Sequence, residues 1–172
     1  MKPSCAWSVS YTHLPTLSDA VDAAGRMELA CAANFLCGHA NGEAIAIESA
    51  GEDYDVLYPE EGILAHTNHF VSLRLTRYRD TFKRRMPDTF VRRGRITKLA
   101  RGCKNGVGID DFRMFFSDHV EHPDSICRHA DPLDPEGLRM GTVFSIVMDL
   151  TENLFWMAPG EPCNCDYRMY TL

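Results

Sequence analysis

The run Glu61-Gly62-Ile63-Leu64-Ala65-His66-Thr67-Asn68-His69-Phe70 constrains this chain most, because its apolar lead-in ends in four consecutive polar side chains. Polar groups that follow an apolar run must be hydrogen-bonded or aimed at a ligand, since leaving one buried and unpaired costs about 1 to 3 kcal/mol. Read as a strand, the run alternates between faces, so His66 and Asn68 share one face and Thr67 and His69 the other. An Asn amide held on a sheet face with its N–H turned into a cleft is what a developing oxyanion needs. The plainer reading has Asn68 satisfying a neighbouring strand end.

The chain around this run reads as a mixed domain. Thr16-Leu17-Ser18-Asp19 has the form of a helix N-cap with an acid three residues on, followed by Leu17, Ala20, Val21 and Ala24 at helical spacing. Leu29 to Cys37 and Glu43 to Ser49 read as strands joined through His39-Ala40-Asn41-Gly42, whose Asn-Gly pair accepts the positive φ of a hairpin turn. Asp53 to Tyr58 is a third strand, and Pro59-Glu60-Glu61-Gly62 turns it into a fourth, Ile63 to Phe70. Gly94 to Gly102 and Ile109 to Val120 read as helices, the second with Phe112, Phe115 and Phe116 on one stripe. Thr142 to Leu150 and Leu154 to Ala158 form a strand pair around Thr151-Glu152-Asn153. Helix, four strands, two helices and two strands imply a single α+β domain over residues 1–172, with helices covering one sheet face. Three helices leave the other face of an apolar meander bare, which points to a part of a larger sandwich.

Composition narrows the setting. The first ten residues carry one Lys and no continuous apolar run, so neither a secretory signal nor a membrane association is expected. Seven Cys, an odd number without framework spacing, suit free thiols in a reducing compartment, and a cytoplasmic location is expected. The net charge of −6 conceals a basic stretch, residues 74–104, with twelve Lys or Arg against Asp80 and Asp88. Such a stretch attracts anions, either nucleic acid or the phosphates of coenzyme A, and with Tyr78, Phe82 and Phe90 it forms an alternative reading as an anion-binding module. A metal site is suggested by His66 with His69, Cys163 with Cys165, and Cys127 with His129. On a strand His66 and His69 face opposite ways and cannot share an ion, so neither a metal nor a cofactor is expected.

Several landmarks fall together. Asn34-Phe35-Leu36, Gly42-Glu43-Ala44 with Glu48, the Gly62 to Phe70 run, Asp118-His119, Ser125-Ile126-Cys127-Arg128-His129, Thr142 to Asp149 and Pro159-Gly160-Glu161-Pro162-Cys163 resemble, in order, the isopenicillin-N (acyl-coenzyme A:6-aminopenicillanic acid) acyltransferase family of N-terminal-nucleophile hydrolases. The resemblance implies an αββα sandwich of antiparallel sheets with helices on the outer faces. It implies a Cys, exposed by autoproteolysis, that attacks an amide or thioester with its own α-amine as base. Asn68 matches the family's oxyanion-stabilising Asn. Arg128 matches the Arg that flanks the nucleophile, where a cation favours thiolate. His66 and His69 are the accompanying candidates for substrate binding. Glu48 either ends a strand or pairs with Arg128.

One departure stands out. The family's nucleophile lies upstream of the oxyanion Asn in a Gly-Cys setting, yet the 67 residues before Asn68 hold no Gly-Cys pair. Cys5 is followed by Ala6 and Trp7, and Gly102-Cys103 comes after Asn68 at a helix end. The chain therefore reads as the family's C-terminal portion: a truncated or split member, inactive alone, that supplies oxyanion-stabilising groups without the attacking sulfur. Its expected partners are a complementary N-terminal chain or a second copy, with acyl-coenzyme A or a small amide as substrate and nucleic acid disfavoured.

Overall fold

The computed structural model of the chain describes residues 15–27, 29–104 and 106–172. Cys5 and the opening segment lie outside the described residues. Two compact units are present, one taking the described chain up to His66 together with Phe70–Asp80, the other Thr67–His69 with Thr81–Leu172.

In the first unit, helix α1 (Leu17–Gly25) starts at the expected cap. The Thr16 hydroxyl accepts from the Asp19 N–H at 3.1 Å, and the Asp19 carboxylate accepts from the Thr16 N–H at 3.1 Å, which closes a capping box. The helix lays Ala20 and Ala24 on Ile45 and Ile47 of β2 (Ala44–Ser49), with Phe35 of β1 (Ala33–Gly38) and Val56 of β3 (Tyr54–Leu57) packed around them. At its end a Cβ on Gly25 would stand 3.0 Å from the Tyr54 ring, so any larger residue must displace that ring. The strands run antiparallel in the order β1-β2-β3, Phe35 opposite Ile47 and Ile47 opposite Val56. In the β1–β2 turn Gly42 takes a φ of 91°, and the Asn41 side chain accepts from the Glu43 N–H at 3.1 Å.

The expected fourth strand over Ile63 to Phe70 is not formed; an isolated bridge between Glu60 and Ile63 is the pairing found there. The reason lies on β2. Glu48 is fully buried, and its carboxylate accepts from the Val71 N–H at 2.6 Å and the Ser72 N–H at 2.8 Å while meeting the His66 ring at 2.5 Å. A carboxylate has lone pairs for all three, so this segment takes its hydrogen bonds from a side chain instead of a strand ladder. Ser72 donates in turn to Asp55, the β3 residue opposite Glu48. The β2–β3 face away from α1 is thus covered in part by the chain around Ser72, not left bare.

In the second unit, helix α2 (Phe82–Arg85) precedes α3 (Asp88–Gly102), which starts before the expected Gly94. Pro87 stands at its head, where a missing N–H costs nothing, and Asp88 puts a carboxylate in the first turn, where the helix dipole favours it. Helix α4 (Ile109–Phe116) is shorter than the expected span to Val120. Phe115 is fully buried and makes an edge contact with Phe112 at 5.9 Å. Strands β4 (Phe144–Asp149), β5 (Leu154–Pro159) and β6 (Arg168–Thr171) form a second antiparallel sheet in that order. The Asp149 carboxylate receives the N–H groups of Thr151 and Glu152, each at 3.0 Å, and turns β4 into β5. β6 was not expected as a strand. Both units join helices to antiparallel sheet, the α+β class read from the sequence. No helix among the described residues is long and apolar enough to cross a membrane.

Burial pushes the Glu48 carboxyl up, but the hydrogen bonds from His66, Val71 and Ser72 outweigh it and hold the group below the usual carboxylate range. A carboxyl held low contributes stability that is complete above its unfolded pKa, about 4.3, and is lost as the pH falls through the lower folded value. Glu48→Ala should therefore cost about 3 kcal/mol in urea unfolding at neutral pH, since it leaves buried donors unpaired. The variant should also lose less stability than the wild type on acidification. Equal stability of the two proteins at neutral pH would refute the role given to this carboxylate.

Candidate functional site

In the second unit helix α3 meets three of the expected site residues, Asn68, His69 and Arg128. Its second residue, Thr89, is fully buried and acts as an anchor for Thr67, Asn68 and His69. The Asn68 N–H donates to the Thr89 hydroxyl at 2.9 Å, the Thr67 hydroxyl donates to the Thr89 carbonyl at 2.9 Å, and His69 Nδ1 lies 2.9 Å from the Thr89 hydroxyl. The backbone of Asn68 is fixed in this way while its side chain stays exposed. Arg92 Nη2 then donates to Asn68 Oδ1 at 2.7 Å. A guanidinium only donates, so the amide oxygen must face Arg92 and the Nδ2 N–H groups turn the other way.

Arg92 is itself held. Its Nε donates at 2.7 Å to Asp88 Oδ2, one helical turn back, and Arg128 Nη2 donates to the same oxygen. Arg128 also pairs with Asp124, and its backbone is pinned by the Thr142 hydroxyl at 2.9 Å and the Thr142 N–H at 2.9 Å. Burial raises the Asp88 carboxyl, but Arg92 and Arg128 together bring it below the usual range. Asn68 and Arg128 are therefore joined through Arg92 and Asp88. Glu48 binds His66, Val71 and Ser72, and Arg128 has Asp88 and Asp124 as its carboxylates. Two guanidinium groups against two carboxylates leave the cluster formally neutral, so Arg128 brings little net positive field.

The two histidines offered for substrate binding, His66 and His69, are both largely covered. The His66 side chain is 8% exposed against Glu48, and His69 is 7% exposed, its ring 4.3 Å from that of Phe90. Both rings are engaged by protein groups. Within the basic stretch, Arg74 and Arg77 pair with Asp53, Arg92 with Asp88, and Arg95 with Asp118, so much of that charge is answered locally.

A second constellation lies beyond α4. The Nε2 atoms of His119 and His129 are 3.0 Å apart, and the Cys127 and Cys163 sulfurs lie 3.6 and 3.4 Å from His129 Nε2. Cys127 is fully buried, and burial pushes its thiol up to about 11. The sequence offered Cys127 with His129 as a pair but did not join them to His119 or Cys163, because nothing local links positions so far apart. Asp88, Thr89 and Arg92 were also missed. Their signal was the four-residue spacing of Asp88 and Arg92, readable only if the helix is started at Pro87.

Comparison with protein families finds a match to the model described as "AAT: Acyl-coenzyme A:6-aminopenicillanic acid acyl-transferase" over residues 12–164. Among curated proteins none matches the chain.

Asp88→Asn should remove the shared acceptor of Arg92 and Arg128. The expected cost is about 3 kcal/mol by urea unfolding, with the Asn68 side-chain amide signals shifting in a ¹H–¹⁵N spectrum. An unchanged Asn68 amide would show that Arg92 does not depend on Asp88 for its place.

Proposed function

The chain belongs to the acyl-coenzyme A:6-aminopenicillanic acid acyltransferase family, and from that membership we propose that it forms the oxyanion-stabilising part of a thiol-dependent acyl-transfer site acting on amides or thioesters. The observation that carries this reading is the Asn68 amide, whose oxygen is taken by Arg92 so that its N–H groups are presented for donation.

In the proposed reaction a cysteine thiolate adds to the carbonyl carbon and the π electrons move to oxygen. Asn68 Nδ2–H donates to that oxyanion. Collapse re-forms the carbonyl and expels the thiolate or, after proton transfer, the amine, which leaves an acyl-enzyme for an amine or water to take. No Gly-Cys pair precedes Asn68 in this sequence, so the attacking sulfur is assigned to polypeptide outside these residues. Arg128 acts here as a positioning residue: it holds Asp88, which holds Arg92, which orients Asn68. The neutral balance of the cluster favours this role over that of a free cation beside a thiolate.

A second feature supports a partner. On one face of the β4–β6 sheet Phe144, Met148 and Tyr170 are 56%, 55% and 40% exposed, with Phe155 stacked on Tyr170 at 5.0 Å. Exposed apolar patches of this kind mark interaction surfaces. The proposed occupant is the remaining layer of an αββα sandwich, supplied by the segment that carries the cysteine or by a second copy.

Alone, the chain should show no acyl transfer or amide hydrolysis; robust turnover abolished by Cys5→Ala would overturn the split-site reading. With the cysteine-bearing segment supplied, Asn68→Ala should lower kcat by about 10²- to 10³-fold, with little change in KM or stability. An unaltered kcat would remove Asn68 from the oxyanion role. Light scattering should find the isolated chain associating, and Met148→Lys should reduce that association. A clean monomer in the wild type would contradict the open-face assignment.

A further inference from the structure

The side-chain cluster beyond α4 is separate from the acyl chemistry proposed for Asn68. We propose that His119, Cys127, His129 and Cys163 form a tetrahedral zinc site that staples the α4 exit, the loop at residues 119–129 and the turn after β5.

The four ligating atoms all lie within 4.8 Å of one another. Zinc bonds of about 2.0–2.1 Å to nitrogen and 2.3 Å to sulfur in a tetrahedron place nitrogens about 3.3 Å apart and nitrogen and sulfur about 3.6 Å apart. The separations here are 3.0 Å between the two Nε2 atoms and 3.6 and 3.4 Å from His129 Nε2 to the two sulfurs. Two imidazoles and two sulfurs are also the donor set that zinc favours.

Hydrogen bonding alone serves this arrangement poorly. His129 Nδ1 lies 3.1 Å from the Glu161 carboxylate, which only accepts, so Nδ1 carries a proton and Nε2 offers at most a single lone pair. Three heavy atoms crowd that one lone pair. A cation among the four donors satisfies them together. The Glu161 contact is also the outer carboxylate that orients a ligating imidazole and raises its basicity.

The backbone holds the donors in place independently. The Cys127 N–H donates to the Asp118 carbonyl at 3.0 Å, which sets Cys127 beside His119, and the Asp118 carboxylate is fixed by Arg95 of α3 at 2.6 Å. The His129 N–H donates to the Pro123 carbonyl at 3.1 Å, and the Asn164 N–H closes the Cys163 turn on the Glu161 carbonyl at 2.9 Å. Four protein ligands leave no open position for substrate, so the role is structural.

The test is metal analysis of the purified full chain, repeated after chelation and reloading with zinc or cobalt(II). One zinc per chain is expected, and the cobalt form should show the strong visible bands of a tetrahedral site with thiolate ligands. Cys163→Ser and His119→Ala should each weaken metal binding and change the cobalt spectrum, whereas Cys165→Ser, two residues on but outside the cluster, should change neither. Glu161→Gln should keep the spectrum but weaken zinc about 10- to 100-fold in a competition titration. In the zinc-loaded chain Cys163 should alkylate more slowly than after chelation. The proposal is overturned by a chain that takes up no metal on reloading, by a Cys127–Cys163 disulfide found by mass, or by a Cys163 thiol that reacts equally fast with and without zinc.

Discussion

One oxygen of Asp88 receives guanidinium groups from two directions, and the arrangement around Asn68 rests on that sharing. Arg92 reaches it from one turn along the same helix, while Arg128 reaches it from a loop forty residues away. A charged acceptor serving two charged donors is stronger and more directional than separate neutral bonds. Because Arg92 also donates to Asn68, the orientation of an exposed amide is set by an ion pair that is largely covered. The chemistry assigned to Asn68 is thus built from the helix upward: a proline start, a carboxylate in the first turn, an arginine one turn on, and an amide within its reach.

Local signals were legible wherever the chain bonds to its near neighbours. The Thr16–Asp19 capping box, the Asn41-Gly42 turn and the Thr151-Glu152-Asn153 reversal are made by side chains and backbone groups within four residues of one another, and each is where the sequence placed it. The run at Ile63 to Phe70 failed as a strand because its partners are not near in sequence. Glu48, eighteen residues before His66, takes the donors on one part of it, and Thr89 takes those of Thr67 to His69. An apolar run that ends in four polar residues carries no information about such remote acceptors. The same limit hid the cluster of His119, Cys127, His129 and Cys163, whose members are brought together by a loop and a strand turn.

Charge offers a related lesson. The basic stretch at residues 74–104 stands out in the sequence as an anion-attracting patch, yet Asp53, Asp88 and Asp118 draw four of its arginines into ion pairs. The two pairs on Asp53, whose arginines are exposed, add little stability, but every one of these pairs reduces the field available to a phosphate. Arg128 is treated likewise by Asp88 and Asp124. An arginine next to a catalytic motif is easily read as a bare cation, and here the carboxylates around it make it a strut.

The decisive observation is spectroscopic. With the cysteine-bearing segment supplied and an aldehyde substrate analogue added to form a hemithioacetal, one Asn68 Nδ2 proton should move downfield in the ¹H–¹⁵N spectrum as it donates to the new oxygen. The Asn68 amide staying where it was, while the adduct itself is seen to form, would mean that this side chain does not bind the oxyanion.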